Sequence, residues 1–171
     1  MMEDRRVISV LVGNKPGVLA RVSGMFSGRG FNIHSLAVAP TSDPQYSQMT
    51  IVTGGNEQVI EQIIKQLRKL INVLKVQDLT RGDYVDREMV LVRIKSAASD
   101  RSQVLSTADI FRGKIIDVGH NSVTVEVTGA QNKIDAFLQI IAPMGIIELI
   151  RTGMVAIPRA KKEPRLKGES R

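Results

Sequence analysis

The hydrophobic spacing of this chain switches from strand-like to helix-like and back in the same order twice, and that repeated order admits few folds. Val7 to Val12 is an apolar run of strand length, after which Val18, Leu19, Val22, Met25 and Phe26 fall at helical spacing. Ile33 to Ala39 and Tyr46 to Thr53 read as strands joined through the turn-forming Pro40-Thr41-Ser42-Asp43-Pro44. Ile60, Ile63, Ile64, Leu67 and Ile71 predict a second amphipathic helix, and a strand near Val73 to Leu79 closes the unit. The order is βαββαβ, the split ferredoxin-like arrangement.

The second half follows the same plan. Met89 to Ile94 predicts a strand, and Val104, Leu105, Ala108 and Phe111 mark a helix ending at Gly113. Ile115-Ile116-Asp117-Val118 then pairs with the alternating Val123, Val125 and Val127 across a turn at His120-Asn121. Ile134, Phe137, Leu138 and Ile141 form another helix, stopped by Pro143, and Ile146 to Ile150 begins the closing strands. The chain is therefore read as α+β, two tandem ferredoxin-like units at residues 1–79 and 87–158, with a linker at 80–86 and a basic tail at 159–171. Units of about 80 residues bury little surface alone, so association along sheet edges or helix faces is expected.

A net charge of +7 invites a nucleic-acid partner, but its distribution argues against one. From Arg159 onward six basic residues against Glu163 and Glu169 carry +4 of the total, which leaves +3 for residues 1–158. The tail, with Pro158, Pro164 and Gly168 and almost no apolar residues, reads as a solvated, disordered terminus. RNA-recognition domains share the ferredoxin-like order and stack bases on aromatics of their first and third strands. Here the first strand has none and the third only Tyr46. The chain has no cysteine, hence no disulfide framework and no thiolate zinc site, which suits a reducing cytoplasm. Its start carries Glu3 and Asp4 and then only a short apolar strand, well below the roughly 18 residues of a membrane span, so no targeting or transmembrane segment is expected.

Function is suggested by two segments, Asn14-Lys15-Pro16-Gly17-Val18-Leu19 and Gly28-Arg29-Gly30-Phe31-Asn32-Ile33-His34. The first strand runs into Gly13-Asn14, and Pro16 then stands where a first helical residue would. Free backbone amides at that helix start form a small anion site on which a carboxylate could dock. The side-chain oxygens of Asn14 and Asn32 could accept from an ammonium group, so the pair suits a free amino acid. The same residues have a purely local reading as well: Gly17 permits a tight helix entry, and asparagines cap turns. Met25 and Met49 read as core fillers, and His34 as a surface or interface polar group.

No catalytic chemistry attaches to these segments. Asp109, Asp117, Glu126 and Asp135 have no nucleophile or base placed with them by sequence. There is no G-x-x-x-x-G-K-[ST], no G-x-G-x-x-G opening and no thiamine-diphosphate-type motif. His34 and His120 are the only imidazoles, and neither has a second metal ligand at a useful spacing.

The run NKPGVLARVSGMFSGRGFNIHSLAVAPTSDP at 14–44, followed by SQMTIV at 47–52, resembles the ACT domain of the regulatory small subunit of acetolactate synthase, also called acetohydroxyacid synthase. The likeness extends through LINVLKV at 70–76, IFRGKIIDV at 110–118, VEVTGAQNKIDAFL at 125–138 and RTGMVAIPR at 151–159. An N-x-P-G turn occurs in many ACT domains, whereas the second-half motifs point to this family. The resemblance implies a non-catalytic subunit that binds and activates a catalytic large subunit and confers feedback inhibition by valine in branched-chain amino acid biosynthesis. Thiamine diphosphate, magnesium and FAD are expected in that large subunit, with no cofactor on this chain. The resemblance further implies a cytoplasmic homodimer joined through ACT domains, with valine held between them and no nucleic-acid or membrane partner.

Carried onto this chain, the valine-binding residues are Asn14, Gly17, Val18 and Leu19, with Asn32 and Ile33 supplied by the neighbouring subunit. His34 stands where the family commonly has an acid and Gln48 where it commonly has arginine. The other function these features fit is a stand-alone ACT-type amino-acid sensor that regulates a different enzyme.

Overall fold

In the computed structural model, which describes residues 5–97 and 99–160, strand β1 (Arg5–Gly13) buries Ile8, Val10 and Val12 on one face and Val7 on the other. Helix α1 (Val18–Ser27) follows, then β2 (Ile33–Pro40), β3 (Tyr46–Gly54), α2 (Glu57–Leu67) and β4 (Val73–Asp78). The strands form one antiparallel sheet in the order β2-β3-β1-β4. Both helices cover one face of it, where Val22, Phe26, Ile60, Ile63 and Leu67 close a core with Ile8, Val10 and Ile51. The Asn56 side chain starts α2 by accepting the Val59 N–H at 3.0 Å. The helix stops one turn earlier than the apolar spacing predicts. Leu70 packs against the core from the turn that follows, and Ile71 is left 91% exposed.

The second unit repeats this order. It comprises β5 (Tyr84–Lys95), α3 (Arg101–Ile110), β6 (Lys114–Val118), β7 (Ser122–Gly129), α4 (Gln131–Ile141), β8 (Ile146–Arg151) and β9 (Val155–Pro158). The sheet order is β6-β7-β5-β8. Val90, Val92, Ile94, Val123, Val125 and Val127 face Ile134, Phe137 and Ile141, the alternation of a sheet covered by helices on one side.

The junction differs from the expected linker at 80–86. Tyr84, Val85 and Asp86 are the first residues of β5, and Tyr84–Arg87 pairs with Val155–Pro158 of β9. This two-stranded ribbon lies on the helix-free face of the first sheet, where Met154 and Ala156 are buried against Val7, Val52 and Leu79, with Tyr84 packed alongside. Burial, with Asp86 adding to it, pushes the Tyr84 phenol above its ordinary value. Ala156 N–H donates to Thr50 Oγ1 at 3.3 Å, and Met154 N–H donates to Ser35 Oγ at 3.1 Å. One continuous strand, β5, thus belongs both to the second sheet and to the ribbon that packs on the first. Residues 161–171, most of the expected basic tail, lie outside the described residues.

Candidate functional site

The turn after β1 is fixed by backbone bonds. Gly13 N–H donates to Asn72 O at 2.8 Å and Asn14 N–H to Gln45 O at 2.7 Å. The Asn14 side chain donates through Nδ2 to Pro44 O at 3.0 Å, which leaves its Oδ1 as an open acceptor. Helix α1 begins at Val18, so Pro16 belongs to the turn and not, as expected, to the first helical position. Gly17 takes the N-cap place with φ 81°, a left-handed conformation that a β-carbon penalises. A β-carbon there would meet nothing within 4 Å, so the backbone angle alone selects glycine. No side chain caps α1 and its first turn holds no acid. The Leu19 and Ala20 N–H groups have no partner among the described residues, which leaves two backbone donors open at this helix start. Leu19 is 43% exposed beside those amides, whereas Val18 is buried in the core and presents only backbone.

The second segment is ordered separately. Asn32 O accepts from Thr53 Oγ1 at 2.6 Å, and Asn32 Nδ2 lies 3.2 Å from His34 Nδ1. That contact uses the Asn32 amide nitrogen and leaves Asn32 Oδ1 as a second open acceptor. Ile33 is partly buried against the first core. Gln48, on the helix-free face, donates to Ser9 Oγ at 2.8 Å.

One chain does not bring Asn14 and Asn32 together. Strands β1 and β2 both run antiparallel to β3; Gly13 stands opposite Tyr46, and Ile33 opposite Thr53. The advance along β3 from 46 to 53 separates the two segments by roughly 23 Å. A two-fold antiparallel pairing along the β2 edge would reverse the partner's ends, carrying its Asn32 toward the end that holds Asn14. That edge is open to pairing: Ile33–Pro40 contains no lysine, arginine, aspartate or glutamate, whereas the opposite edge, β4, carries Lys75 and Asp78.

Between the two units lies a cleft of about 350 Å³, lined by Arg5, His34, Glu88, Gln131, Arg151 and Thr152 among others. On its wall Arg151 donates to both Glu88 oxygens, at 2.7 and 2.6 Å, and reaches Asp135 at 3.3 Å. Those bonds to Glu88 hold the guanidinium above its ordinary value, with burial opposing. Both oxygens of the buried Glu88 carboxylate are thereby engaged by one guanidinium. Sequence reading did not find this pair, because its members are 63 residues apart. Among the described residues no three His, Asp or Glu side chains assemble into a metal site, and no helix is long and apolar enough to cross a membrane.

Two protein-family models match this chain: the acetohydroxyacid synthase (AHAS) small subunit-like ACT domain at residues 8–75, and the small subunit of acetolactate synthase at residues 87–160. The acetolactate synthase isozyme 3 small subunit of Escherichia coli strain K12 is 49% identical over 159 residues, which span 92% of this chain and 98% of that one. The acetolactate synthase small subunit of Mycolicibacterium smegmatis is 44% identical over 155 residues, 91% of each chain. A crystal structure of the acetolactate synthase small subunit from Thermotoga maritima matches with a TM-score of 0.84 at 39% identity, covering 92% of this chain and 98% of that one.

Proposed function

Since the chain belongs to the acetolactate synthase small-subunit family, we propose that it activates a catalytic large subunit and makes that subunit sensitive to valine. The observation that carries the effector reading is the uncapped start of α1 beside Asn14, whose amide nitrogen donates to Pro44 O and whose oxygen is open. The Leu19 and Ala20 amides receive the valine carboxylate, charge-assisted bonds of the stronger kind. Asn14 Oδ1 and the partner's Asn32 Oδ1 accept from the ammonium group. Leu19 and the partner's Ile33 supply apolar surface to the branched side chain.

Residues 1–79 bind the effector and dimerise through β2, and residues 87–158 relay the signal. The chain works in the cytoplasm and binds no cofactor itself; thiamine diphosphate, magnesium and FAD reside in the large subunit. The test is calorimetric titration of the purified dimer with valine, together with acetolactate formation by the reconstituted enzyme. One valine per chain is expected by symmetry, with stimulation by the small subunit and inhibition on adding valine. Stimulation without any heat from valine, leucine or isoleucine would remove the effector role, and absence of stimulation would remove the activating one.

A further inference from the structure

We propose that Ser35 and the strap Gly153–Met154 form a latch that carries the state of the effector strand β2 into the second unit, an inference that rests on the effector reading above. The pairing of β2 with β3 moves from Ile33 opposite Thr53 to Ser35 opposite Val52, so His34 is the extra residue of a bulge. A bulge interrupts the regular ladder and redirects the strand, which makes this the place where β2 can adjust. Asn32 and Ile33 lie on one side of it and Ser35 on the other. A ligand that grips Asn32 and Ile33 differently from water therefore changes where Ser35 stands.

The strap is in close contact with that serine. Met154 N–H donates to Ser35 Oγ at 3.1 Å, and a β-carbon on residue 153 would lie 2.6 Å from the same oxygen. Gly153 also has φ 78°, so a side chain there is strained by its backbone angle and would press on the serine hydroxyl. A small displacement of Ser35 then moves the strap or breaks the bond, because the serine hydroxyl touches the strap directly on this wall of the cleft. On its other side the strap is held firmly by the second unit. Thr152 N–H donates to Met89 O at 3.0 Å, Met89 N–H returns a bond to Thr152 Oγ1 at 3.1 Å, and Arg151 grips Glu88 through two bonds. Both Glu88 and Met89 belong to β5, which runs on through the second sheet to Lys95. The hydrogen bond from β9 to the first sheet, Ala156 N–H to Thr50 Oγ1, ends on β3 and has no ligand residue beside it.

The test is hydrogen exchange of the full-length dimer with and without valine, for the wild type, Ser35→Ala and Thr50→Val, alongside inhibition of the reconstituted enzyme. In the wild type valine is expected to slow exchange at residues 14–20 and also at 146–158. Ser35→Ala should keep the first effect, keep stimulation of the large subunit, and lose about fivefold or more of the second together with valine inhibition. Thr50→Val should behave as wild type. If Ser35→Ala does not fold, Gly153→Ala asks the same question by pushing the strap off an intact serine. Protection at 14–20 without change at 146–158 in the wild type would overturn the latch, as would equal losses in Ser35→Ala and Thr50→Val. No valine effect at either segment would overturn the effector reading itself, and the latch with it.

Discussion

Gly17 shows how little of a residue's role lies in its own contacts. Its left-handed φ and the empty space around its missing β-carbon mean that Gly17→Ala meets only backbone strain, about 1 kcal/mol. Gly17→Asp differs because it brings a carboxylate to the mouth of an anion site. A like charge near 4 Å costs up to about 4 kcal/mol at a surface-like dielectric, which could weaken valine binding by a factor of several hundred. The expected outcome is a dimer that folds, less stable by about the same 1 kcal/mol of backbone strain, and gives no measurable heat with valine; affinity within about threefold of wild type would remove the site assignment. The sequence singles out Asn14, Gly17 and Asn32 as candidates because their residue types carry the chemistry. It could not foretell that Pro16 precedes the helix, since that depends on where the first helical bond, Arg21 N–H to Gly17 O, happens to form.

The elements legible in the sequence were those whose apolar period is long and whose ends are marked. Helix α2 shows both the strength and the limit of such reading: its Ile60, Ile63 and Leu67 stripe is plain, yet Ile71 keeps the spacing after the helix has ended. Strand β9 was missed as a separate element because four residues show too little alternation, and the first four residues of β5 were missed because their only strand partner is β9. The Glu88–Arg151 pair was equally hidden, and it anchors the end of β8 on β5. Removing one partner should be costly: the Glu88 side chain is 7% exposed, so Arg151→Met leaves a buried carboxylate without its cation. Because the Arg151 side chain is itself 35% exposed, the expected loss is about 2–3 kcal/mol, below that of a fully buried pair. Urea unfolding would measure it, and Glu88→Gln added to Arg151→Met should recover at least about half, since the second change removes the stranded charge. A loss under about 0.5 kcal/mol in the single variant would show that the pair is not the anchor.

At the scale of the whole molecule the ribbon of β5 and β9 determines what each unit can do alone. The first unit has its own core between sheet and helices, so a chain ending near Arg81 is expected to stay folded and dimeric, as native mass measurement would show. It would also expose Val7, Val52 and Leu79, and, lacking the relay, respond poorly to valine when bound to the large subunit. Inhibition equal to that of the full chain in the reconstituted assay would remove the relay role of residues 87–158. The dimer itself is tested by the roughly 23 Å that separates Asn14 from Asn32 within one chain, a span no amino acid bridges. If Asn14 of one chain and the partner's Asn32 clasp the same valine, Asn14→Ala and Asn32→Ala homodimers should both bind poorly. A mixed dimer, by contrast, has one doubly damaged site and one intact site, because each site of a two-fold dimer takes one residue from each chain. Refolding the two variants together in equal amounts should make about half the dimers mixed and restore roughly a quarter of all sites to full affinity. Were both residues to act within one chain, every site in every dimer would carry a lesion. A titration of the mixture with no high-affinity fraction, while native mass measurement confirms that mixed dimers have formed, would therefore rule out the shared site.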